Sequence, residues 1–150
     1  MNYFSFLFFL LINLTIQAQS WGSLLDGTDW QINDLYADTL TGQLYLSGRF
    51  EQAGMTEVNG IARWDGTQFH SLGDGVDYCI TSCPTVRSVI QFQDEVYCSP
   101  TGFSIGGIEP KGLAKWDGQN WSQVGTGLHS FSGSSGVVWK FLEHDEALYI

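Results

Sequence analysis

The stretch LYLSGRFEQAGMTEVNGIARWDGTQFHSLGDGV, residues 44–76, decides the fold, because it returns 52 positions later as VYCSPTGFSIGGIEPKGLAKWDGQNWSQVGTGL, residues 96–128, without a gap. Gly54, Gly60, Ala62, Trp64, Asp65, Gly66, Gly73 and Gly75 fall on Gly106, Gly112, Ala114, Trp116, Asp117, Gly118, Gly125 and Gly127. Where the two copies differ, the chemistry is mostly kept: Ile61 with Leu113, Arg63 with Lys115, Phe69 with Trp121, Leu72 with Val124. Within each copy, apolar runs flank an Asp-Gly pair. That pattern predicts a hairpin, since glycine accepts the positive φ such turns require.

Working outward, residues 32–37 predict a strand whose Ile32, Leu35 and Tyr36 match Val86, Val89 and Ile90 once a two-residue insertion is placed in the turn 38–43. Turns absorb length changes that strands do not. Further strands are expected at 44–47, 61–64 and 69–72, with a glycine-containing connection over 49–60. The second unit repeats that order at 86–92, 96–99, 113–116 and 121–124. A third begins at residue 138 and reaches 148–150, again 52 positions after 96–98. Upstream, WGSLLDGT at 21–28 reads as the tail of a unit, its Trp21, Leu24 and Gly27 matching Phe69, Leu72 and Gly75. No helical periodicity or helix cap punctuates residues 21–150.

Units of about 40–50 residues with four short strands are the sequence sign of propeller blades. A single twisted four-stranded sheet cannot bury both faces, and stacking around an axis buries each against the next. The expected fold is therefore all-β, a partial β-propeller of four-stranded antiparallel blades. Its parts are an outer strand at 21–25, blades at 32–76 and 86–128, and the start of a third blade at 138–150. Trp64, Phe69, Trp116 and Trp121 are expected to pack between blades. Tyr45, Tyr97 and Tyr149 share one strand position, where repetition favours packing over stacking on sugars. A propeller closes with about four to eight blades. The sequence therefore reads as the N-terminal part of a longer chain, with 21–25 completing the final blade.

Leu44-Tyr45-Leu46-Ser47-Gly48, then Trp64-Asp65-Gly66 and Phe69, resemble a kelch-type repeat. They resemble more closely the repeats of large secreted bacterial surface proteins, many of which carry a C-terminal sorting domain for type IX secretion. The likeness covers residues 21–150 and implies a propeller fold at the cell surface. The second unit departs from the pattern, with Ser99-Pro100 in place of Ser47-Gly48 and Phe103 one place out of register with Phe50. A less regular central connection is expected there.

Composition narrows location and partners. Within residues 1–18, the apolar run Phe4 to Ile16 is too short to span a bilayer comfortably, where about 20 residues are needed, and Ala18 follows as a cleavage position. Residues 1–18 read as a cleavable signal peptide, followed by the incomplete propeller at 19–150. No Lys or Arg precedes the run, so an uncleaved anchor is the alternative. After cleavage no stable membrane insertion is expected. Sixteen acids against six bases give a net charge of −10, which repels nucleic acid and anionic lipid. An aromatic content of 15% argues against disorder.

Few residues suggest chemistry. In an exported protein, Cys79 and Cys83 would form a disulfide pinning a short loop; Cys98, opposite Leu46, reads as a small buried apolar residue. A lone C-x3-C supplies too few ligands for zinc. Asp26 with Asp29, and Asp74 with Asp77, offer oxygen pairs that calcium favours, although Asp and Gly also dominate turns for backbone reasons. His70, His129 and His144 share no repeated position. Asp94-Glu95 and Asp145-Glu146 look like paired carboxylates, but fall where a hairpin turn is expected. No catalytic set and no cofactor follow. The leading reading is an exported, non-enzymatic propeller that binds or displays a protein or glycan. The alternative is the propeller part of an extracellular carbohydrate-active enzyme whose catalytic residues lie beyond residue 150; a structural spacer is a third.

Overall fold

A computed structural model describes residues 24–77, 85–101, 104–129 and 134–150. The protein is all-β, with no helix among the described residues. The first unit contributes β1 (Gln31–Asp38), β2 (Gln43–Arg49), the short strands β3 (Gln52–Ala53) and β4 (Thr56–Glu57), β5 (Ile61–Trp64) and β6 (Phe69–Ser71). The second contributes β7 (Val86–Phe92), β8 (Glu95–Pro100), β9 (Ala114–Trp116) and β10 (Trp121–Gln123), and a third hairpin follows as β11 (Leu142–His144) and β12 (Ala147–Tyr149). Two four-stranded antiparallel sheets result, in the orders β1-β2-β5-β6 and β7-β8-β9-β10. Each sheet is drawn from one sequence unit.

The registers coincide. Leu35 pairs with Leu46 as Val89 pairs with Cys98, and both inner strands carry an irregularity just before those residues. The predicted insertion is visible in the first turns. Residues 39–42 close the first, with the Gly42 N–H 2.8 Å from the Asp38 carbonyl. Only Gln93 and Asp94 close its counterpart, both at positive φ. One expectation needs correction. The paired carboxylates at 94–95 and 145–146 are one residue out of step: the turns are Gln93-Asp94 and Asp145-Glu146, and Glu95 already lies in β8. Of the second unit's connection, where a less regular path is expected, residues 102–103 lie outside the described residues, and the part that is described repeats one bridge of the first. Ile105 bridges Ile108 as Ala53 bridges Thr56, because Gly106, like Gly54, supplies the left-handed turn residue.

The sheets stack face to face. Tyr45, Ile61 and Leu72 from the first meet Val89, Cys98, Ala114 and Trp121 from the second. On the far side of the second sheet, Ile90 and Leu113 meet Val138 and Phe141, with Leu148 of the third hairpin packed against them. A separate cluster of Leu46, Phe50, Trp64 and Phe69 covers the opposite face of the first sheet. The order is therefore layer upon layer. The backbones come closest where β7 crosses β1 and β2, while the space on the β6/β10 side is taken by the indoles of Trp116 and Trp121.

Lys140, leading into the third layer, places its Nζ 2.6 Å from Asp34 Oδ1 on β1 of the first. Flat stacked sheets lie about 10 Å apart, putting alternate layers roughly 20 Å apart. One lysine and one aspartate side chain do not bridge that span. The layers converge along their β1/β7 edge.

Of the outer strand expected at 21–25, only Leu24 and Leu25 are described; they form a turn in which the Gly27 N–H meets the Leu24 carbonyl at 2.9 Å. The segment nevertheless docks as its later equivalent does. Thr28 bridges Ala53 as Val76 bridges Ile105. The Gly54 N–H donates to the Gly27 carbonyl at 2.6 Å, as the Gly106 N–H donates to Gly75 at 2.9 Å. Residues 1–18, expected to be a signal peptide, and Cys79, Cys83 and Phe103 lie outside the described residues.

Candidate functional site

Strand direction sorts the loops into two ends. Tight turns at 39–42, 65–68, 93–94, 117–120 and 145–146 occupy one end. The long connection 50–60 and the described parts of its counterpart, 101 and 104–113, lie at the other. Rigid strands thus present variable backbone at a single end, the arrangement that most often carries binding residues.

That end holds a cleft of about 310 Å³ between the second unit and the residues that lead into the third layer. Pro100, Thr101, Glu109, Lys111, Ser135 and Val137 line it. Its walls are fixed from below. The Ser99 hydroxyl donates to the Gly112 carbonyl at 2.8 Å and accepts the Val138 N–H at 2.9 Å. The Leu128 N–H donates to the Lys111 carbonyl at 2.8 Å. Ligand sites commonly run from about 300 to 1,000 Å³, so this cleft is at the small end.

Three of the chain's six basic residues, Arg49, Arg87 and Lys111, stand at this end without a carboxylate at ion-pair distance among the described residues. Arg87 lies over Trp139, 5.1 Å from the ring centroid. Reading the sequence did not single out these two. The available signal was their departure from the repeat, since Asn33, Arg87 and Trp139 occupy equivalent places.

The residues picked out beforehand have structural uses. Trp121 packs between the two sheets and donates its indole N–H to the Leu72 carbonyl at 2.8 Å. Trp116 is its neighbour at 5.3 Å, as Trp64 is to Phe69 at 4.8 Å. Tyr45 is buried and Tyr97 packs against the third cluster, whereas Tyr149 is exposed. Asp29 accepts the N–H groups of Glu51 and Gln52, both at 3.0 Å, and Asp77 accepts that of Gly107 at 3.3 Å. These carboxylates tie neighbouring segments together. Cys98 is free and fully buried, and burial pushes its thiol well above the ordinary range.

At the turn end, His70 Nε2 lies 2.6 Å from Asp65 Oδ2, and His144 Nε2 lies 3.3 Å from Asp145 Oδ2. Asp65 also accepts the Thr67 hydroxyl at 2.7 Å and two backbone N–H groups. His70 first, then those donors, hold its carboxyl far below the usual carboxylate range. Asp117 repeats the backbone part without a histidine, accepting from Gln119 and Asn120 at 2.8 and 2.7 Å. The shared geometry identifies a turn cap. Glu95 is likewise held low, chiefly by Lys115 at 2.8 Å, and Tyr97 donates its hydroxyl to it at 2.9 Å. No helix among the described residues is long and apolar enough to cross a membrane. Comparison of the chain with protein-family models, curated proteins and solved structures found no match.

Proposed function

We propose that the chain is an arc of a kelch-like β-propeller, exported and used as a non-enzymatic module that binds or displays a protein or glycan at the cell surface. The burial of repeated positions supports the ring. Leu35, Val89 and Phe141 are equivalent; Val89 and Phe141, with a layer before them, are 2% and 4% exposed, whereas Leu35 is 54% exposed. On the opposite face, Tyr97 has a following layer to pack against and its equivalent Tyr149, 52% exposed, does not. Both outer faces carry the side chains that further layers of the same kind would bury, and the convergence marked by Lys140 and Asp34 gives the stack an axis. Export and surface display rest on the signal-like residues 1–18 and on the repeat motif.

The observation that carries the binding role is that the long connections, as far as they are described, lie at one end beside a formed cleft, against turns of two to four residues at the other. Glycan and peptide arrays probed with wild type and Ser135→Arg test it. Ser135 is exposed in the cleft lining, so the arginine fills the opening while the thermal unfolding curve stays unchanged. A ligand captured by wild type and lost in the variant supports the reading. Ligands that bind both proteins equally, or an array with none, contradict it.

A further inference from the structure

Along the inner edge of the stack, positions facing neighbouring layers stay apolar from unit to unit: Ile32, Val86 and Val138, then Leu35, Val89 and Phe141. The two positions between them diverge, reading Asn33, Arg87 and Trp139, then Asp34, Ser88 and Lys140. A repeat that holds its packing residues and varies those between them builds a regular scaffold with an asymmetric axial edge. The varied residues also engage one another. Arg87 lies over Trp139 and Lys140 pairs with Asp34, while the Ser88 hydroxyl donates to the carbonyl of the constant Val138 at 2.8 Å. Even with the guanidinium on it, Trp139 is 73% exposed.

This edge leads into the cleft. The Thr101 N–H and hydroxyl donate to the Thr85 carbonyl at 2.8 and 2.9 Å, two residues before Arg87. Val137, two residues before Trp139, lines the cleft with Lys111. At about 3.3 Å per extended residue, the stack stands roughly 7 Å along the chain from the rim.

We infer that cleft and stack form one subsite for a short oligosaccharide bearing a uronate. The flat, exposed indole of Trp139 suits the apolar face of a sugar ring. Arg87 and Lys111, unpaired with carboxylates among the described residues, supply charge-assisted hydrogen bonds to the uronate carboxylate. Thr101, Ser135 and Glu109 offer partners for sugar hydroxyls. The net charge of −10 repels extended polyanions, so the fitting ligand is short and carries few carboxylates. This assignment rests on the long-connection end being the ligand end.

The test is a titration of the purified chain, followed by tryptophan fluorescence and calorimetry, with a glucuronate-terminated trisaccharide and with its uncharged methyl ester. The acid binds at least about tenfold more tightly than the ester, the scale of one charge-assisted contact, and only its binding weakens with added salt. Arg87→Gln abolishes the preference for acid and leaves ester binding unchanged. Trp139→Ala weakens both by about tenfold or more, whereas Leu40→Ser in the turn at the opposite end changes neither. Equal affinity for acid and ester, no binding of the acid, or affinities indifferent to both Arg87→Gln and Trp139→Ala would overturn the inference. If the acid fails while Ser135→Arg still abolishes capture of another ligand, the subsite falls and the ligand-end reading stands. If Ser135→Arg leaves every captured ligand bound, the ligand-end reading falls with it.

Discussion

Trp121 fills the space between the first two layers and also ties them together, its indole N–H 2.8 Å from the Leu72 carbonyl. The two roles separate by substitution. Trp121→Phe, the residue found at the equivalent position 69, keeps most of the apolar body but leaves a buried carbonyl unpaired, costing about 1–3 kcal/mol. Trp121→Ala adds a cavity and costs about 3–5 kcal/mol. Urea midpoints at constant m-value measure both, and equal losses would show that the hydrogen bond contributes nothing. Gly106 lies against the same ring. A Cβ there would sit 2.5 Å from Trp121 Cδ1, on a residue at φ 54°. Gly106→Ala therefore destabilises by about 1–3 kcal/mol through overpacking, and an unchanged midpoint would contradict that packing. Asp38 makes a pH-dependent contribution. The Thr41 hydroxyl, then the Leu40 and Thr41 N–H groups, hold its carboxyl below the ordinary range against the opposing effect of burial. A folded pKa below the unfolded value means the contribution is complete above about pH 4 and is lost as the pH falls through the folded value. Asp38→Asn flattens that part of the acid unfolding curve measured from pH 5 to 2; superimposable curves would remove Asp38 from the account.

At the level of elements, the strands were legible because their apolar patterns are short and punctuated by Asp-Gly. The strands expected at 61–64 and 86–92 appear as β5 and β7 with those limits. The small hairpin β3–β4 was not legible, since Gln52-Ala53 and Thr56-Glu57 carry no apolar alternation and pair only because Gly54 turns the chain between them. The register of the later turns was misjudged for a related reason. Asp94-Glu95 resembles Asp145-Glu146 in composition, whereas pairing of Phe92 with Glu95 fixes Gln93-Asp94 as the turn. Both its residues hold positive φ, 50° and 65°, a geometry that Asn-Gly adopts more readily. Replacing Gln93-Asp94 by Asn-Gly stabilises the protein by about 0.5–1 kcal/mol, read as a raised urea midpoint; a lowered one would mean the native side chains make contacts that outweigh the turn preference.

For the whole molecule, repetition made the layered plan readable, because equivalent positions must meet equivalent surroundings. The end that carries the long connections was harder to read. Its signal is the absence of repetition at Arg87 and Trp139, and a departure gains meaning only after the constant positions are known to be packing. The cleft was illegible for a different reason, since Pro100, Lys111 and Val137 are separated in sequence and brought together only by stacking. The exposed outer faces have a consequence of their own. Burying a leucine or tyrosine side chain stabilises by about 1.5–3 kcal/mol, so faces carrying Leu35, Leu142 and Tyr149 favour association of this chain. Leu142→Glu with Tyr149→Lys lowers the weight-average mass in sedimentation, and a mass unaffected by the pair would mean these faces are not the contact.

Layers of the proposed propeller arc fan out from a shared inner edge. Pulsed electron spin resonance on singly paired labels at equivalent positions of the first two layers measures this directly, using an inner pair at Ala37 and Gln91 and an outer pair at Ser71 and Gln123. A fan predicts an outer separation several ångströms longer than the inner one, whereas equal separations near the sheet-packing distance of about 10 Å would describe parallel layers and contradict the account.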